Sequence, residues 1–219
     1  MKIDFHVHTK YSIDSLIEPK ALAQKSRKLG IIPAIADHNS ILCHKEMEKL
    51  GASFIPGEEI STDRGDLIGL YLNEQIARKT PFLEAIDLIR GQGGIPYLPH
   101  MFDYGRSGKH ASESEAAEAD IVEIFNARCM KNEYNLKAEA FAINHQLLKA
   151  VGSDSHFLFE FGKTYAAMPD FDIEDPKALI KALKAAEFIT KKAPVYVRGT
   201  TTFVSLGKKL VRSLGIGRC

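Results

Sequence analysis

The chain lacks most of the features that would classify it at once. Only three cysteines, Cys43, Cys129 and Cys219, occur among its 219 residues. An odd, scattered set excludes a disulfide framework and a Cys-x-x-Cys metal knuckle. The formal net charge is only +1, which gives no global bias toward nucleic acid or an anionic membrane. No apolar run approaches the roughly 20 residues of a membrane span. The start of the chain has no basic-then-apolar leader. The expected setting is therefore the cytoplasm, with no membrane partner. Repeats, low-complexity stretches and splitting linkers are also missing, so residues 1–219 read as one domain.

What is present is alternation of strand-like and helix-like segments. "DFHVHT" alternates Phe5 and Val7 with Asp4, His6 and His8, as a strand does. Pro19 opens a helix that Gly30 closes. "IIPAIAD" is a buried parallel strand by its continuous apolar run. "ASFIPGEEIS", "DLIGLYL", "GIPYLPH", "DIVEIFNA" and "KAVGSDSH" read as further strands. The intervening helices include "TPFLEAIDLIRGQGG", with Leu83, Ile86 and Leu88–Ile89 on or near one face, and "DPKALIKALKAAE". The order predicts an α/β fold of parallel βα units.

The segment 188–219 stands apart. It contains no acidic residue, while Lys191, Lys192, Arg198, Lys208, Lys209, Arg212 and Arg218 make it basic. "FVSLGKKLVRSLG" is expected to pack as a closing helix through Val204, Leu210, Val211 and Leu214, with its basic face in solvent. The alternative is an electrostatic aid to an anionic substrate.

Metal-type side chains recur where strands are expected to end. His6 and His8 share one strand face, and Asp154 and His156 share another. Asp37 and His38 are adjacent and must diverge, as must Glu58 and Glu59, and parity does not choose between them. His100 ends "YLPH". Strand C-termini of parallel α/β folds gather on one rim, where active sites form. Imidazole with carboxylate and no thiolate suits Zn, Mn or Fe. The number of candidates suits more than one ion, with a bridging hydroxide as nucleophile for a phosphoryl group.

The ordered motifs "HVHTKYSIDS", "ADHNS", "PGEEIS", "PHMFD", "EIFNAR" and "GSDSH" resemble the PHP (polymerase and histidinol phosphatase) domain family. The resemblance runs from Asp4 to about Gly162. It implies a distorted (β/α)7, TIM-like barrel with two or three divalent ions at the C-terminal rim of the strands. It implies metal ligation by His6, His8, Asp14, His38, Glu59, His100, Asp154 and His156, with Asp37 behind them. The sequence departs from the family pattern at Met101, where Pro is usual. It departs again at Asp66, where many members have a ligating histidine. The family's histidine just beyond "EIFNAR" has no counterpart, and only Cys129 is nearby. These departures leave two ions better provided for than three.

The activity implied is metal-dependent hydrolysis of a phosphate ester of a small molecule or nucleotide. Arg106 and Arg128 are the expected substrate-phosphate partners, with Lys163 a weaker choice. His156 and Asp154 are the expected proton carriers. The alternatives are an exonuclease or oligonucleotide phosphodiesterase, and a non-catalytic metal-binding regulatory module. His44 and His145 are expected to be structural or exposed, and His110 to lie in a loop within reach of the rim.

Overall fold

The computed structural model describes residues 1–106 and 110–213. Leu214, Arg218 and Cys219 lie outside the described residues. The elements run β1 (Lys2–Val7), α1 (Pro19–Leu29), β2 (Ile32–Ile35), α2 (Leu42–Lys49), β3 (Gly57–Thr62), β4 (Gly65–Leu70), α3 (Phe82–Gly91) and β5 (Ile95–Leu98). They continue α4 (Glu113–Ala116), β6 (Ile121–Asn126), α5 (Asn132–Asn144), β7 (Leu148–Gly152), β8 (Tyr165–Ala167), α6 (Pro176–Leu183), β9 (Glu187–Ile189) and α7 (Tyr196–Ser213).

Local chemistry sets the element boundaries. Pro19 needs no amide partner in the first turn of α1, and Gly30 ends it at φ 63°, a left-handed conformation that costs glycine little. Asp175 caps α6 by accepting from Lys177 N at 2.9 Å. The buried face of α3 is Phe82, Ala85, Ile86 and Ile89, while Leu83 and Leu88 are exposed. That shifts the expected face by about one residue. β8, β9 and α4 are too short to register as periodic patterns.

The strands form two mixed sheets, ordered β2-β1-β8-β9 and β3-β4-β5-β6-β7. The fold is thus α/β, but the expected series of parallel βα units is corrected. β4 runs antiparallel to both β3 and β5, and β8 antiparallel to β1. The reason lies in the chain between β3 and β4. Only Asp63 and Arg64 join them, far short of a parallel crossover but sufficient for a hairpin. No continuous ladder joins the two sheets among the described residues.

Isolated contacts nevertheless link the sheets at two seams. Ala34 bridges Ile55 and His38 bridges Glu59, which carries β2 onto β3. Val7 bridges Ser155, and Asp154 N donates to His6 O at 2.8 Å, which carries β1 onto the end of β7. Each seam sets two candidate ligands side by side. Below them the core is apolar, with Phe5 and Tyr97 in edge contact at a centroid distance of 6.2 Å.

α7 packs on the body as a closing helix, but only partly through the residues expected, with Val204 half-buried. Val197 and Thr201 are buried, and Lys208 turns inward to donate to the carbonyls of Lys10, Ser12 and Ser15. Leu210 and Val211 face outward. Three loop carbonyls hold an ammonium more firmly than they would an apolar side chain.

Candidate metal centre

β1 places His6 and His8 on one face, and both are fully buried. Their Nε2 atoms lie 3.0 Å apart. The ring nitrogens behind them are occupied. His6 Nδ1 lies 3.0 Å from Glu123 Oε1, a carboxylate acceptor. His8 Nδ1 lies 3.0 Å from Ser12 Oγ, whose own proton goes to Asp37 Oδ1 at 2.8 Å. In this network both Nδ1 atoms donate, so two Nε2 lone pairs converge. Such an arrangement needs a proton or a cation between them.

The other expected residues close around this pair. Glu59 Oε1 lies 3.0 Å from His100 Nε2, and Glu59 Oε2 lies 2.9 Å from His38 Nδ1. Asp154 Oδ1 lies 3.3 Å from His8 Nε2. His156 Nδ1 donates to the Asp154 carbonyl at 2.8 Å, leaving its Nε2 facing Asp14 Oδ2 at 3.1 Å. Metal-sized groupings of donors are His8–His38–His156, His6–His100–Asp154, His6–His8–Glu59 and Glu59–Asp66–His100. Asp66 is thus brought to the rim. Cys129 is buried and belongs to none of these groupings, and burial pushes its thiol up to about 12. His100 and Asp154 hold positive φ angles of 27° and 53°, conformations that cost non-glycine residues about 1–3 kcal/mol each.

The donor set fits divalent cations. Glu59 Oε2, Asp154 Oδ1 and Asp14 Oδ1 are buried oxygens without a hydrogen bond of good geometry. Their electrostatics are those of a site short of positive charge. Burial would raise the Glu59 carboxyl, but His38 and His6 hold it well below the usual range. Burial would raise Asp154 too, but Arg106 and His6 hold it well below. Burial would lower His6, but Glu123, Asp154 and Glu59 hold it well above its ordinary value. His8 is pushed well below its ordinary value by burial and by His156 and His38. Asp66 is raised, first by burial and then by Glu59.

The adjacent pairs divide as parity requires. Glu59 faces the imidazoles, whereas Glu58 Oε2 accepts from Ile76 N at 2.9 Å. His38 faces the rim, whereas Asp37 is buried behind it, bonded to Thr9 and Ser12.

The three arginines differ in their ties. Arg106 donates to Asp154 Oδ2 at 2.6 Å, Asp103 Oδ2 at 3.1 Å and Asn126 Oδ1 at 3.2 Å. Arg128 forms a buried two-pronged pair with Glu160, at 2.8 and 3.0 Å. Arg198, from α7, donates to Asp103 Oδ2 at 2.8 Å. All three line one cavity of about 240 Å³ with Asp14, His38 and His156. Lys163 instead lies over the Phe159 ring, 5.5 Å from its centroid. His110 lines a neighbouring cavity with Asp66, His100 and Arg106. His145 pairs with Glu113 at 3.0 Å, and His44 is buried against Gly57.

Sequence reasoning missed Glu123, Ser12, Asp103 and Glu160. Glu123 alternates in "DIVEIFNA" as an inward strand position, so its parity was a usable signal. The other three act through loops and carry no periodic signal.

The family described as PHP-associated matches residues 132–188. An uncharacterized protein of Methanocaldococcus jannaschii is 41% identical over 186 residues, covering 82% of this chain and 75% of its own. Among solved structures, a two-domain Bacteroides vulgatus protein is similar at a TM-score of 0.65 and 18% identity. It is described as containing a predicted PHP-like metal-dependent phosphoesterase, and the match covers 93% of this chain and 69% of that one. A candidate metal-dependent phosphoesterase of Bifidobacterium adolescentis is similar at 0.58 and 20% identity, over 70% of this chain and 87% of that one. With the family match on its C-terminal half and a close relative along most of its length, the chain belongs to the PHP domain family.

Proposed function

We propose that the protein is a metal-dependent hydrolase of phosphoester bonds, acting on a small phosphorylated molecule or nucleotide. One observation carries this reading. Converging imidazole lone pairs and orphaned carboxylate oxygens share one rim with a cavity lined by three guanidinium groups. The two similar structures named as metal-dependent phosphoesterases support it. So does the circuit β1 to β7, which we read as a distorted barrel joined at its seams by isolated bridges.

In this reading His6, His8, Asp14, His38, Glu59, His100, Asp154 and His156 hold two or three ions, with Asp66 as a further ligand. Such ions supply Lewis acidity and bring bound water to a pKa of about 7. Arg128, fixed by Glu160, and Arg106 and Arg198, fixed by Asp103, bind and orient the substrate's phosphate oxygens. Asp154 stays ionised beside Arg106 and so serves as a ligand rather than as an acid. His156 has only Nε2 to offer, because its Nδ1 donates to the Asp154 carbonyl, so in this reading it too serves as a ligand. The cavity's size and the position of Arg198, Thr201 and Thr202 on its wall favour a small substrate over a nucleic-acid strand.

The test is hydrolysis of a phosphomonoester panel against short oligonucleotides, with chelated and with Mn- or Zn-loaded protein. Metal-dependent turnover of monoesters is expected. Turnover confined to oligonucleotides would assign the nuclease reading. Metal binding with no turnover of either class would assign the regulatory module.

A further inference from the structure

α7 shows its two faces to different surroundings. Val197, Thr201 and Lys208 face the body of the protein. The opposite side carries Tyr196, Phe203, Leu206 and Leu210, whose spacing keeps them on one helical stripe. These four are 65%, 75%, 58% and 61% exposed, and Val195, at 81%, extends the stripe at its N-terminal end. An exposed apolar stripe along an 18-residue helix, broken only at Gly199, marks a surface that something covers.

Charge decides what covers it. Lys209 is exposed on α7, and Lys191 and Lys192 are exposed in the segment that leads into it. Arg198 and Lys208 turn to the body of the protein, and no acidic residue occurs in 188–219 to offset these three lysines. A second copy of the same helix would set like charge against like charge, with no carboxylate in either segment to relieve it. An anionic lipid surface satisfies both features. The stripe enters the headgroup–acyl boundary and the lysines meet the phosphates. We infer that α7 docks the protein peripherally on an anionic lipid surface, with Phe203, Leu206 and Leu210 inserted and Lys191, Lys192 and Lys209 at the headgroups. No described helix is long and apolar enough to cross a membrane, and none is required. Composition alone predicts no membrane partner because the chain's net charge of +1 averages over this local asymmetry. The inference does not depend on the chemistry of the rim.

The experiment is co-sedimentation of the full chain with vesicles of phosphatidylcholine, alone or with about one third phosphatidylglycerol. The partition into anionic vesicles should exceed that into neutral ones by about tenfold or more, and should fall as salt is added. Phe203→Ser with Leu206→Ser should abolish it, and Lys191→Glu with Lys192→Glu and Lys209→Glu should do so independently. All five positions are exposed, so circular dichroism should show each variant folded. Folded wild-type protein that ignores anionic vesicles would overturn the inference. So would a wild-type dimer, dissolved by the Phe203→Ser and Leu206→Ser pair, that binds both vesicle types equally poorly.

Discussion

Glu123 Oε1 lies 3.0 Å from His6 Nδ1, and the carboxylate's other oxygen accepts from His100 N and Asn126 Nδ2, each at 2.9 Å. One buried glutamate therefore fixes the tautomer of one candidate ligand and the backbone of another. Glu123→Gln keeps the shape but weakens acceptance from His6. Metal affinity, measured by competition with a chromogenic chelator, should fall by about 10–100-fold while the fold persists. Unchanged affinity would show that Glu123 does not set His6.

Gly152 in β7 packs its Cα against the same pair. A Cβ there would overlap Glu123 Oε1 and His6 Cβ. Gly152→Ala should cost about 1–3 kcal/mol in denaturant unfolding and also lower metal affinity. A loss of stability with full metal affinity would mean that the strands shift without moving His6.

Arg198 should separate binding from chemistry. Arg198→Ala removes one guanidinium from the cavity and leaves the ligand donors in place. KM for a phosphomonoester should rise about tenfold or more, with metal content unchanged. A kcat effect with KM constant would assign Arg198 to the reacting atoms instead.

Much of this site was legible in the sequence, for a physical reason. Strand parity forces His6 with His8 and splits Glu58 from Glu59, and those constraints survive any detail of packing. The family motifs supplied the choice within each split pair. The β3–β4 hairpin instead reads as part of a parallel series, although the two residues between the strands leave no room for a crossover. The facing of α7 was legible only in part. Its inward Lys208 is set by carbonyls of the Lys10–Ser15 loop, a tertiary demand that hydrophobic periodicity does not encode. Asp103 and Glu160 were hidden likewise, because each is defined by the arginine it holds.

His44, read from sequence as structural or exposed, is buried on α2 and meets both polar groups of Gly57, two residues before Glu59. His44→Ala leaves that backbone short of a partner. A stability loss of about 1–3 kcal/mol is expected, with metal stoichiometry unchanged. Loss of metal at full stability would place His44 in the metal-binding machinery.

Protons compete with metal at this rim. His6 is held well above its ordinary value by Glu123, Asp154 and Glu59 against the cost of burial, and His38 by Glu59 and Asp14 against the same cost. Both must lose a proton to bind an ion, so binding releases protons and affinity rises with pH. Titrations between about pH 6 and pH 8 should show apparent affinity increasing steadily. Affinity independent of pH would contradict ligation by these imidazoles.

The most direct measurement is metal content per chain by elemental analysis, on purified protein and again after reconstitution with Mn or Zn. The account predicts two or more ions per chain in the reconstituted wild type, and fewer in Glu59→Gln. No bound metal after reconstitution would contradict the central claim and leave His6 and His8 as buried strand histidines sharing a proton.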